Sequence, residues 1–442
     1  MRALQLGTYV ANLTYSDLPE PVIHATKRCI LDYLSAVIPG GVEAPALALQ
    51  RALDDDLGHG KSKLIPSNIQ ATSRSAALIN GVASHTLEVD DIYRDGIYHP
   101  GPPVVSAALA AAELMGSSGK ELIAGVVAGY EVSNRIAAAV QPAHYDYWHT
   151  TGTVGAFGAA VASAKLMNLT ADQTKHAIGN AATMAAALQQ AFRSDAMSKP
   201  LHAGRAAETG VLCAQMAAAG VTGADEMLEG PRGFGNAMSR DVDWETAFAN
   251  LGDDYTITRM TQKNHCCCGH TFAAIDSVLA LREQAELNLD TVKKVYIGSY
   301  AKAAEVCGNR NPQTAFEAKF SLAYVVAMAA LTGSVRLAAF SDEWLQNEDV
   351  RKLMERIQIT VDDKAESVFP GFRSATVEIE LADGERINHN SPTRRGDPDS
   401  PLSDSEIEHK FKELTAPLMD AEAQDAVISK IWALEQQGSW VL

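Results

Sequence analysis

Ser117–Val140 reads SSGKELIAGVVAGYEVSNRIAAAV, and this stretch decides the fold class. Ser118 followed by Glu121 fits a capping box, in which each side chain satisfies a backbone N–H of the other's end of the first turn. Behind it runs a long amphipathic segment over roughly 120–140, rich in Ala and Gly. Small side chains let helix axes approach closely, so the segment predicts a compact helical bundle with little bulky filling.

The same texture extends in both directions. Thr170 and Gln173 fit a second capping box and open a run over about 171–190. Pro19 sits at a helix first turn, with Ile23, Cys29, Ile30, Tyr33, Leu34 and Val37 following at helical spacing. Residues 153–167 and 205–219 are further helix candidates. After about residue 265 the pattern changes. TVKKVYIGSY (291–300), RIQITVD (356–362) and ATVEIEL (375–381) alternate or are β-branched and read as strands. Ala382-Asp383-Gly384 is a hairpin signal, and helices are expected at about 271–286 and 315–332. Ser403 with Glu406 caps a last helix whose apolar positions suit a return to the first domain. The fold expected is mainly α: a large all-helical domain over 1–265 with 397–442, plus a smaller, lid-like α+β domain over 266–396.

Composition excludes several classes. The 442 residues carry 37 Lys+Arg against 54 Asp+Glu, a net charge of -17, which rules out a broad basic surface for nucleic acid. An anionic substrate must therefore be held by a local group of cations. No apolar span is long enough for a membrane helix, and the N-terminus reads as neither signal nor transit peptide. Six cysteines, three of them consecutive, form no disulfide framework, so a reducing cytoplasm is expected.

Chemistry concentrates in a few places. His85-Thr86-Leu87-Glu88-Val89-Asp90-Asp91, with His99-Pro100-Gly101 after it, sets carboxylates beside a histidine fixed by a turn, which is what proton transfer needs. Ser198 to Arg205 (SKPLHAGR) displays Lys199 at a turn, in the company of His202 and Arg205. His144 to Gly155 (HYDYWHTTGTVG) leads into a Gly/Thr-rich helix start suited to a carboxylate. In Lys263-Asn264-His265-Cys266-Cys267-Cys268-Gly269-His270 the cysteines are adjacent, whereas structural zinc uses spaced pairs. They read as small packed residues, and no metal is assigned. Tyr324 reads as a buried helix residue.

As an ordered series these motifs resemble the MmgE/PrpD family over nearly the whole chain. Lys199-Pro200-Leu201-His202 with Gly204, Lys263, Tyr324 after Phe320-Ser321, and Gly396-Asp397-Pro398 through Pro401-Leu402-Ser403 to Lys410-Phe411 complete the match. The resemblance implies a homodimer, catalysis without metal or organic cofactor, and site residues at Glu88, Asp91, His99, His149, Lys199, Lys263 and Tyr324. Glu88 stands where the motif has Asp, and Cys268 where decarboxylases carry a histidine.

The expected activity is a lyase, a dehydratase or a decarboxylase, that removes a proton next to a carboxylate of a small di- or tricarboxylate. His99 is the expected base or acid, oriented by Asp91 or Glu88. Tyr324 or Tyr145 supplies the opposing proton. Lys199, Lys263, His149, His202 and Thr153 hold the substrate. An epimerase with two opposed proton carriers is the alternative, and a non-catalytic helical scaffold is the alternative of another class.

Overall fold

The computed structural model describes residues 1–194 and 196–439. The protein is mainly helical and divides into two compact units. The larger comprises Met1–Thr86, Asp90–Thr261 and the chain from Ser403 onward; the smaller comprises Leu87–Val89 and Gln262–Leu402. No helix among the described residues is long and apolar enough to cross a membrane.

The larger unit is built on six helices: α1 (Glu20–Gly40), α2 (Ser73–Thr86), α3 (Gly101–Met115), α4 (Gly119–Val140), α5 (Gly155–Leu166) and α6 (Ser198–Ala218). The capping boxes at Ser118 and Thr170 form as the sequence predicts. The box at Ser403 opens the helix Asp404–Thr415. From that helix Lys410 reaches Asp32 of α1 at 2.7 Å, both side chains about 1% exposed. This buried ion pair ties the end of the chain to its start. A short two-stranded ribbon, Leu57–Lys63 with Gln70–Ala71, is the one feature of this unit that the helical pattern gave no hint of.

Small residues set the closest approach. Gly81 of α2 lies against Gly204 of α6 so tightly that a Cβ on Gly204 would sit 2.3 Å from the Leu78 carbonyl oxygen. No rotamer relieves a clash with backbone. His85 follows Gly81 by one turn, and Lys199 and His202 precede Gly204 within about one and a half turns. The glycine pair therefore brings those three side chains to one end of the helix pair. Gly204→Ala is expected to lower the melting temperature by several degrees and to cut any turnover more than tenfold, because the displacement falls on the site. Unchanged melting and turnover would show that the contact is slack.

In the smaller unit the strands are β1 (Val292–Ser299), β2 (Ile357–Val361), β3 (Ala375–Leu381) and β4 (Arg386–Ser391). The sheet order is β2-β1-β3-β4; β1 and β2 run parallel and the other pairs antiparallel. The strict alternation of buried and half-buried residues in β3 follows from the period of two along a strand. Its buried face packs on helix α7 (Phe272–Arg282). Gly384, at φ +92°, turns β3 into β4 at the Ala382-Asp383-Gly384 signal. The run expected as one helix over 315–332 is broken in two. Ser321 caps the second piece, α8 (Leu322–Thr332), by accepting from the Tyr324 N–H.

Candidate active site in the helical unit

Four histidines of the larger unit gather around one carboxylate and one lysine. His85, in the last turn of α2, is fully buried, and its Nδ1 donates to Asp90 Oδ2 at 2.8 Å. His99 Nδ1 comes within 2.9 Å of the same oxygen, off the direction of a good hydrogen bond. The His85 ring stands edge-on to His99 at 5.1 Å between centroids and stacks on His149 at 5.5 Å. His149 Nδ1 lies 3.1 Å from His202 Nδ1. The Phe192 ring closes against His149 edge-on at 4.8 Å and carries the Lys199 ammonium over its face at 5.7 Å. A carboxylate only accepts, so both imidazoles place a proton on Nδ1 and keep the lone pair on Nε2.

Burial keeps the rings of His85, His149 and His202 neutral. It pushes His85 down to about 3, with the positive charge of Lys199 outweighed as a cause only by burial and by the opposing pull of Asp90. Burial, then Lys199, takes His202 down to about 4. His149 is held well below the usual histidine range, by burial and then by its three histidine neighbours. His144, buried against Met238, is lowered to about 4. Each of these groups has a folded pKa below the unfolded value of about 6.5. The unfolded chain therefore takes up protons first as the pH falls. Stability is complete above about pH 6.5 and is lost towards pH 4. The melting temperature should drop steeply between pH 7 and 4.5, and a flat profile there would contradict neutral buried histidines.

Several sequence expectations are corrected. Asp91 does not orient His99. Adjacent residues of an extended segment point to opposite sides, and Asp91 turns into the core, where Tyr130 donates to it at 2.7 Å and the Gly101 N–H at 2.9 Å. It thus pins the turn after His99 from below, while Asp90 takes the contact with the ring. Burial, and then the nearby Asp32, raises the Asp91 carboxyl to about 8, so it is largely protonated at pH 7. Asp91→Asn should consequently fold and keep activity within about threefold, whereas Asp90→Asn should cost at least tenfold. The reverse order in a turnover assay would restore the sequence assignment.

Glu88 is paired with a lysine. It belongs to the smaller unit, at φ +61°, a left-handed conformation that is costly for a side-chain-bearing residue. There it accepts from Lys263 Nζ at 3.2 Å, and both side chains are buried. Lys319 holds the neighbouring Leu87 carbonyl at 3.2 Å.

Lys199 is not displayed on a loop: Ser198–Ala218 is one helix, and Lys199 lies in its first turn, 3% exposed. Pro200 is accepted there because a first-turn N–H has no helical partner to lose. Arg205 leaves the group and pairs with Glu208 on the surface. Thr153 gives its hydroxyl to His144, at 2.7 Å, in the short helix Thr150–Thr153, which passes through Val154 into α5. Tyr145 is half-buried in the turn Ala143–Asp146. Tyr324 is fully buried in the smaller unit, where its hydroxyl donates to the Ala339 carbonyl at 2.7 Å. The three adjacent cysteines are buried ahead of α7, with Cys267 Sγ 3.2 Å from the Thr271 hydroxyl.

Asp90 and His85 are the residues that the sequence expectation passed over. The donor atoms of His85, Asp90 and His99 all lie within 4.8 Å of one another. One oxygen of Asp90 thus takes a hydrogen bond from His85 at 2.8 Å and a close, ill-directed approach from His99 at 2.9 Å.

The family model for the MmgE/PrpD N-terminal domain matches residues 4–247, and that for the C-terminal domain matches 265–436. The chain belongs to the MmgE/PrpD family. Within the family it is similar to a cis-aconitate decarboxylase-like protein, oryM, of Aspergillus oryzae, 25% identical with 98% of this chain and 94% of that protein covered. The cis-aconitate decarboxylase of Aspergillus terreus is 25% identical, over 95% of this chain and 91% of its own. The cis-aconitate decarboxylase of Homo sapiens is 26% identical, over 97% and 91%.

Proposed function

We propose that this MmgE/PrpD protein is a lyase for a small di- or tricarboxylate, and that it works by moving a proton at a carbon next to a carboxylate. The observation that carries the reading is the Asp90-held imidazole of His99 in one buried cluster with Lys199. The family's relatives named as cis-aconitate decarboxylases, similar over their full length, supply the substrate class.

His99 is the proton carrier. With Nδ1–H against Asp90, its Nε2 can take a proton from carbon, and the imidazolium so formed is stabilised by the carboxylate. Lys199 supplies positive charge to a substrate carboxylate, and it does so best in the state where charge from the broken C–H bond spreads onto that group. In a dehydration the C–H electron pair becomes the new double bond and the β-hydroxyl leaves, as water once protonated. In a decarboxylation the C–C pair stays on the skeleton, carbon dioxide leaves, and His99, entering that cycle as the imidazolium, gives its proton to the carbon and takes another from solvent. His149 and His202 line the same cluster and are assigned to substrate binding.

Epimerisation is the second reading. It needs two proton carriers, and the stacked His149 is a second imidazole in the cluster. Incubation with 2-methylcitrate, citrate, cis-aconitate and iminodisuccinate, followed by mass spectrometry, separates the cases. A lyase changes the mass of one of them by water or carbon dioxide. An epimerase leaves the mass unchanged while importing deuterium from solvent. No change in any of the four would count against the substrate class.

A further inference from the structure

His85 is the imidazole for which the proposed reaction has no task. Its ring is fully buried between His99 and His149. Its Nε2 is also buried and meets no hydrogen-bond partner among the described residues. An orphaned buried nitrogen costs stability, and an apolar ring of the same shape would pack there without that cost. What the imidazole contributes, and a phenyl ring would not, is the Nδ1–H bond to Asp90 Oδ2.

That bond has a consequence for His99. His85 holds the well-directed share of Oδ2, and His99 Nδ1 is left with the off-line approach to the same atom. A carboxylate undivided towards His99 would favour its charged form strongly. An imidazole already charged cannot take a proton from carbon, and a base works best when its proton affinity lies near the working pH. We infer that His85 is a positioning residue that, by sharing Asp90 Oδ2, lowers the proton affinity of His99 and keeps it available as a base.

Among the described residues of the larger unit, the other groups of the cluster lie as follows. His149 stacks on the His85 ring and is neutral, and His202 lies against His149. Lys199, from α6, acts on His85 and His202. Asp91 is turned onto Tyr130 and Gly101. Thr151 touches the His99 backbone N–H through its hydroxyl, at 3.3 Å, and carries no charge. The inference rests on His99 as the proton carrier, and its test is independent of any substrate.

The test is an NMR titration of the His99 ring in protein labelled with ¹³C-histidine, the resonance being assigned by its loss in His99→Asn. His85→Phe keeps the ring and its stacking but removes the donor. His85→Asn keeps an amide donor. The His99 midpoint should rise by at least about one pH unit in His85→Phe, a tenfold gain in proton affinity, and by less in His85→Asn. Once a substrate is found, the acid limb of kcat/KM should move by the same amount. A folded His85→Phe with an unmoved or lowered midpoint overturns the inference. Should that variant fail to fold, His85→Leu, which also lacks the donor, decides: a midpoint above the wild type supports the inference, and one at or below overturns it. A failed substrate screen would sink the lyase reading but leave this titration result standing.

Discussion

His99→Asn should lower kcat by about 10²–10⁴, the range that general acid–base groups contribute, while the protein stays folded. The expectation of intact folding has a specific basis. The His99 side chain is 16% exposed, at the edge of the cluster rather than in its core. Its removal leaves Asp90 with the His85 donor, so no buried carboxylate loses its last partner. The backbone turn at His99-Pro100-Gly101 is held independently by Asp91 and Thr151. KM should change little, since the imidazole acts on the reacting hydrogen and not on the bulk of the substrate charge. Steady-state kinetics beside a thermal melt check both halves. Turnover within about threefold of wild type, with melting unchanged, would remove His99 from the chemistry.

Lys199→Met carries the second large effect. In a protein of net charge -17, a substrate with two or three carboxylates enters against the overall field. Lys199 is the cation that the histidine cluster feels, and it is nearly fully buried. Losing one partner of a buried charge pair costs about 2–5 kcal/mol, which is about 30-fold to several thousandfold in kcat/KM. The protein should stay folded without substrate, because methionine keeps the length of the buried chain, and a thermal melt checks this. Lys199→Arg should not rescue turnover, since the broad planar guanidinium does not fit the place of a compact ammonium over Phe192. The histidines report as well: without the lysine charge, His85 and His202 should each titrate higher than in the wild type. A Lys199→Met protein with wild-type kcat/KM would mean that substrate charge is held elsewhere.

The local rules carried far in this chain. Capping boxes at Ser118, Thr170 and Ser403 placed three helix starts, because a box is a closed exchange of hydrogen bonds needing no distant partner. ATVEIEL gave a strand with its end residues correct for the same reason: alternation needs only one buried face. Where the reading failed, the cause was tertiary. Nothing in Asp90-Asp91 tells which carboxylate faces His99; the choice depends on the side that Tyr130 and the start of α3 occupy. Lys199-Pro200 was taken for a turn because a proline disfavours helix before it, yet a first turn tolerates both residues. Thr153, read as part of a carboxylate-binding helix start, gives its hydroxyl to His144, a partner nine residues back that the local pattern does not name. His85 enters the sequence reading only as the first residue of the carboxylate–histidine run. Its importance appears only once α2 and α6 meet at Gly81 and Gly204 and the rings are stacked.

The central claim is that the Asp90–His99 pair moves a hydrogen between a carbon next to a carboxylate and the solvent. The most direct measurement is hydrogen exchange at that carbon in D₂O, followed by mass spectrometry on whichever polycarboxylate is turned over, for wild type, Asp90→Asn and His99→Asn. The wild type should move one hydrogen per turnover, Asp90→Asn should slow this at least tenfold, and His99→Asn should slow it at least a hundredfold. Hydrogen movement at the wild-type rate in both variants would contradict the account.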